Sequence, residues 1–146
     1  MFREVQRFRQ PWVWLLLSLA ALVVTARLVS EGPSVGNTLG LGVVAATFLL
    51  FLNLKLEVET RPDALHLRYA PFFTRSIPYS EIREAELEPY PLFAYGGWGL
   101  RYSFTKGWAY TVAGNQGLRL KLRSGKTLYL GSQRPEELLS AINANR

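Results

Sequence analysis

No cysteine occurs anywhere in this sequence, and its single histidine is His66. The lack of cysteine excludes a disulfide framework, a thiolate nucleophile and a cysteine metal site. His66 sits in 65-LHLRY-69, which alternates like a strand, so it reads as a strand side chain. A metal site needs convergent ligands, and no partner stands at suitable spacing. Nucleotide-binding loops are missing as well. Gly97-Trp98-Gly99 is followed by Tyr102 where a third glycine would stand, and no helix follows to receive a phosphate. Without a nucleophile–base pair, a metal cluster or a phosphate loop, neither an enzyme nor a cofactor is expected. Charge of one sign is also scarce. The net charge is +6, but residues 55–146 hold 13 Lys/Arg and 9 Asp/Glu, so the balance there is only mildly basic.

What the chain has in quantity is apolar sequence before Leu54. The run 11-PWVWLLLSLAALVVTARLV-29 carries one charge, Arg27, near its far end, and a second run, 38-TLGLGVVAATFLLFL-52, carries none. Each approaches the roughly 20 residues a helix needs to cross a bilayer. The turn signals Gly32-Pro33 and Gly36-Asn37 lie between them, so residues 11–54 are expected to form an antiparallel transmembrane hairpin. A cleaved signal peptide is opposed by the second apolar run, which follows at once. Arg3, Arg7 and Arg9 precede the first run, Lys55 and Arg61 follow the second, and the connecting loop has no Lys or Arg. The positive flanks place the N-terminal segment 1–10 and everything after Leu54 in the cytoplasm, with the protein in the cytoplasmic (inner) membrane. Trp12 and Trp14 then suit the interfacial aromatic belt, and Arg27 either snorkels outward or meets Glu31. Gly36, Gly40, Gly42 and Ala46 supply small side chains near four-residue spacing, with Ala21 and Thr25 in the first run. They serve either hairpin packing or a homo-oligomer.

After Leu54 the period changes to two. In 54-LKLEVET-60 and 65-LHLRY-69, apolar and polar residues alternate about a Pro62-Asp63 turn, which predicts a hairpin. A short extended piece, 75-RSIPYSEI-82, follows. In 82-IREAELE-88, Ile82, Glu84, Glu86 and Glu88 are expected on one face and Ala85 and Leu87 on the other. The hairpin 117-GLRLKLRSGKTLYLGS-132 turns at Ser124-Gly125 and shows a basic stripe of Arg119, Lys121 and Arg123. That stripe either pairs with the glutamate row, if the two strands are neighbours, or faces lipid or a partner. The chain closes on 135-PEELLSAINANR-146, with Pro135 at a first helical position, acidic residues in the first turn, and Leu138, Leu139 and Ile142 on one stripe. Residues 55–146 thus read as about seven strands and a terminal amphipathic helix. The expected fold class is α+β, a bent sheet or partly open barrel plugged by the helix.

The segment 94–117 holds six glycines with two tryptophans, three tyrosines and a phenylalanine. A base-stacking platform of Trp98, Tyr102, Trp108 and Tyr110 with Arg101 and Lys106 is poorly placed beside a membrane, so no nucleic acid is expected. Glycine at bulges and bends, with an aromatic covering the exposed backbone, accounts for Gly99, Gly107 and Trp108. The apolar, proline-bearing loop 91-PLFAYGGW-98 is the better contact surface, with Leu92, Phe93, Tyr95, Trp98 and Arg101 as its candidate residues.

The stretches 2-FREVQRFRQPWVWLLL-17, 96-GGWGLR-101, 107-GWAYTVAGNQGLRLKL-122 and 131-GSQRPEELLSAI-142 resemble an uncharacterised family of small prokaryotic membrane proteins. The piece 72-FFTRSIPYSEI-82 also resembles the third-strand region of bacterial pleckstrin-homology-like (PH-like) domains. The resemblance implies two N-terminal spans and a PH-like domain, and brings no activity and no assigned site. The expected function is a membrane-anchored interaction module that binds a protein partner, itself or lipid headgroups. The alternative is an accessory subunit of a larger membrane complex, contacting an integral membrane partner through the hairpin.

Overall fold

The computed structural model describes every residue from 1 to 146 except 92–94, 96, 98 and 113. The order of elements is β1 (Arg3–Arg7), α1 (Pro11–Glu31), α2 (Val35–Asn53), β2 (Lys55–Thr60), β3 (Ala64–Ala70), β4 (Phe73–Pro78), a 3₁₀ turn (Tyr79–Glu81), β5 (Ile82–Pro89), β6 (Leu100–Ser103), β7 (Gly107–Tyr110), β8 (Gln116–Leu122), β9 (Thr127–Gly131) and α3 (Pro135–Asn145). This is an α+β layout of two apolar helices, two sheets and a C-terminal helix. The described strands form a four-stranded sheet, β1-β2-β3-β4, and a five-stranded sheet, β5-β8-β9-β7-β6, and neither closes into a barrel. Among the described residues, eight strands stand in 55–146 where about seven were expected, and β1 adds a ninth from the N-terminal segment. The chain divides into two compact units, Phe8–Leu54 and the combination of Met1–Arg7 with Lys55–Arg146.

In the helical unit, Pro11 opens α1, where its missing N–H costs nothing, and Gly32 ends it at φ +80°. Ser34 caps α2 by accepting from the Asn37 N–H at 3.1 Å. Trp14, Leu17, Ala21, Val24 and Leu28 form the half-buried stripe of α1, and Asn37, Gly40, Val44, Phe48 and Phe51 that of α2. The stripes meet: Trp14 packs on Phe48 and Phe51 with ring centroids 6.1 and 6.4 Å apart. Both helices have the length and hydropathy to cross a membrane, and outside these stripes they expose leucine and valine, apart from buried Val13. Glu31 receives a 3.5 Å contact from the Asn37 amide.

The sheet unit begins before the helices. Residues 3–7, set apart in sequence as part of the segment 1–10, form the edge strand β1, antiparallel to β2 with Arg3 opposite Glu59 and Arg7 opposite Lys55. Its pattern is inverted: Phe2, Glu4 and Gln6 are buried while Val5 is exposed. The Glu4 carboxylate and the Gln6 amide nitrogen have partners across the core. Ser132 Oγ and the Gln133 N–H donate to the Glu4 carboxylate at 2.5 and 2.8 Å, and Gln6 Nε2 donates to the Gly131 carbonyl at 2.7 Å. Arg134 lies over the Phe2 ring and donates to the Arg3 carbonyl.

Leu56, Val58, Leu65, Leu67 and Ile77 from the first sheet and Leu118, Leu120, Leu128 and Leu130 from the second are almost fully buried, and form the core with Leu138 and Ile142 of α3. α3 packs on β5, β8 and β2. One face assignment changes. The register shifts between Ile82 and Glu84, so Arg83 is an extra residue. The bulge moves Ile82 off the glutamate face to join Ala85 and Leu87, and it is buried. β7 also runs parallel to β9, with Trp108 opposite Leu128, a pairing that no local hairpin produces.

Candidate functional site

Of the five contact residues expected in and after the 91–98 loop, Leu92, Phe93 and Trp98 lie outside the described residues. Tyr95 is not a surface residue. It is 7% exposed and stacks on Tyr90, with both rings against Tyr129 and Ala109 on the outer face of the five-stranded sheet. Its hydroxyl donates to the Lys106 carbonyl at 3.2 Å, that of Tyr129 to the Glu88 carbonyl at 2.7 Å, and that of Tyr90 to Gly97. Burial raises the pKa of all three phenols above the ordinary value. Sequence misplaced Tyr95 because a tyrosine in an apolar loop suits a contact patch and a second small core equally well. Arg101 is exposed on β6, in the same row as Ala109 and Tyr129.

The basic stripe has neighbours. β5 lies against β8, with Glu84 opposite Lys121 and Glu86 opposite Arg119. Lys121 Nζ meets Glu84 at 2.7 Å and Glu86 at 3.5 Å, and Arg119 meets Glu88 at 2.5 Å. The Lys121 hydrogen bond lowers the Glu84 pKa, and the same contact raises that of Lys121. Arg119 and Lys121 thus neutralise the glutamate row, and only Arg123 of the three stands beyond it, exposed at the β8–β9 turn. Among the described residues no group of three or more His, Cys, Asp and Glu side chains is placed to hold a metal ion.

The exposed aromatic surface is on the β6–β7 hairpin. Phe104 is 97%, Tyr102 52% and Trp108 43% exposed. Tyr102 and Trp108 face each other across the hairpin with ring centroids 5.1 Å apart, and Phe104 meets Tyr102 edge-on at 5.6 Å. They border a groove of about 480 Å³ whose other lining includes Arg75 of β4, Lys126 and Thr127, with no carboxylate among its lining residues. Arg75 is held by a 2.9 Å hydrogen bond to the Tyr110 hydroxyl, and Tyr110 packs edge-on against Phe73. Trp108 is therefore on a paired strand, as expected, but its ring is a rim rather than a cover. Tyr110 is buried and Arg101 points to the opposite face from Tyr102, so the imagined stacking platform is split. Sequence reading weighed Tyr102 only within a base-stacking platform and passed over Phe104, which lies in the turn just past β6. Only the open edge exposes them.

The glycines of this region are structural in their backbone. Gly97, Gly99 and Gly107 all have φ between +79° and +128°. In α2, a Cβ on Gly40 would meet Val24 of α1 at 3.6 Å, so Gly40 packs the hairpin. Gly36 and Gly42 have nothing within 4 Å at that position, and Gly42 and Ala46 lie on the side of α2 away from α1. No protein-family model matches this chain, and no match was found among curated proteins.

Proposed function

We propose that this chain is a membrane-anchored, non-catalytic interaction module with a PH-like domain, and that the Tyr102–Phe104–Trp108 rim with Arg75 and Lys126 is its contact surface for a protein partner or a second copy. The observation that carries this reading is the concentration of exposed aromatic area beside cations with no carboxylate in the groove lining. Aromatic and arginine side chains of this kind dominate binding energy at protein interfaces. Two sheets packed around one core with a C-terminal helix support the PH-like reading, although the parallel β7–β9 pair departs from a simple meander. The Lys/Arg flanks of the apolar helices support a cytoplasmic domain on the inner membrane. β1 and β2 belong to one sheet, which supports a hairpin with both ends in one compartment.

A second reading is an accessory subunit that binds an integral partner through its hairpin. It is favoured by Gly42 and Ala46, whose small side chains face away from α1 and allow close approach of another helix. A photo-crosslinking residue at Phe104 or at Ala46, activated in native membranes, separates the two. A discrete adduct from position 104 alone supports the module, and one from position 46 alone supports the subunit. No discrete adduct from either refutes both.

A further inference from the structure

Arg7, Lys55 and Ala70 lie opposite one another in β1, β2 and β3 and make the last row of the four-stranded sheet. At that row the chain leaves β1 for α1 and enters β2 from α2. At the same row β3 turns into β4 through Pro71 and Phe72. The turn therefore projects from the end of the sheet to which both apolar helices are joined, by three residues on one side and one on the other. Phe72 is 59% exposed at its tip. Its ring is backed by a rigid base: it stacks on buried Tyr69 at 6.2 Å, and Tyr69 stacks on Phe73 at 5.9 Å. Arg7 and Arg68 are exposed on the outer face of this sheet, where Glu57 is already held by Lys55 at 2.8 Å and Arg68 at 3.7 Å.

We infer that the β3–β4 turn is a third membrane contact, with the Phe72 ring set in the headgroup–acyl boundary of the bilayer that holds the hairpin and with Arg7 and Arg68 directed at lipid phosphates. The inference rests on the reading that α1 and α2 span a membrane. Given that, an exposed aromatic ring at the helix-bearing end of the sheet, with Arg7 and Arg68 on the outer face of the same sheet, is placed for a bilayer surface, and interfacial aromatics and cations favour that depth.

The absence of cysteine makes the test direct. Single-cysteine variants of the full chain, reconstituted in phosphatidylcholine–phosphatidylglycerol vesicles, carry an environment-sensitive fluorophore at Phe72→Cys, Asp63→Cys or Ala46→Cys. Asp63 lies in the β2–β3 turn at the opposite end of the same sheet, and Ala46 lies in α2. Quenching by nitroxide lipids of graded depth should place position 72 about 5–10 Å into the boundary, position 46 deep in the acyl chains and position 63 in water. Phe72→Trp, read against wild type with brominated lipids, should show added emission that is quenched, and it retains the aromatic ring. Position 72 as wet as position 63, or shielded from water yet unquenched by lipid, overturns the inference while leaving the anchor intact. An unquenched position 46 overturns the anchor itself, and the inference with it.

Discussion

Replacing Gly107 by alanine tests whether the glycine-rich segment is there for backbone geometry. Gly107 opens β7 at φ +79°, and a Cβ built on it would stand 2.3 Å from the Thr127 carbonyl oxygen and 3.2 Å from its carbonyl carbon. Both atoms are backbone at the start of β9, so no side chain can swing aside. The left-handed conformation costs an alanine about 1–2 kcal/mol. Forcing β7 and β9 apart adds about 1–3 kcal/mol, typical of overpacking. Gly125→Ala is the control: φ is +84°, but nothing lies within 4 Å of its Cβ position, so only the first cost applies. The alanine's smaller unfolded-state entropy offsets both variants equally. Gly107→Ala should therefore be destabilised by about 1–3 kcal/mol more than Gly125→Ala. For a unit of this size each kcal/mol moves Tm by about 4–8 °C. Thermal unfolding of the detergent-solubilised chain, followed by near-UV circular dichroism, reads the difference. Equal melting of the two variants would refute the steric argument, and a wild-type Tm for Gly107→Ala would refute the backbone role altogether.

Leu138→Ala should cost roughly 2–5 kcal/mol, because Leu138 is fully buried where α3 packs on the core; a loss below about half a kcal/mol in chemical denaturation would mean that the helix does not plug it. Glu4→Ala should lose about 1–3 kcal/mol by leaving Ser132 Oγ and the Gln133 N–H without their acceptor, and unchanged denaturation would detach β1 from the sheet unit. Burial lifts the Tyr69 pKa from 10.0 to about 12, so the unfolded chain deprotonates first as pH rises: stability should be complete below about pH 10 and fall away toward pH 12, as fluorescence-detected denaturation across that window will show. A reporter active only outside the cytoplasm, fused after Arg146, should be silent, and strong activity there would reverse the orientation.

Sequence alone was enough wherever a residue's fate depends on its near neighbours. Largely apolar sequence makes α1 and α2, 21 and 19 residues long, without reference to anything else, and Pro11 and Gly32-Pro33 mark the ends of α1, whereas Gly36-Asn37, expected as a turn, lies in the first turn of α2. Strict alternation in 55–60, 65–69 and 118–122 defines β2, β3 and β8 because one face of each must be buried, and Pro135 with Leu138 and Ile142 defines α3. The opposed charges of β5 and β8 left two readings open, mutual pairing or a lipid- or partner-facing basic stripe, and the adjacency of the two strands decided for pairing at Arg119 and Lys121. What only the tertiary structure decided involves residues whose environment arrives from far along the chain. β1 was unreadable because its inward residues are Glu4 and Gln6, and their partners lie more than a hundred residues away in 131–133. The bulge at Arg83 moved Ile82 to the core face, Tyr95 was drawn under by Tyr90 and Tyr129, and Trp108 was left on an open rim. A tyrosine or tryptophan satisfies either a core or a surface with one ring and one polar group. Which of the two it meets is fixed by the strand that lands beside it, and for β7 that strand is the parallel β9, paired across residues 111–126 in a way that no local period encodes.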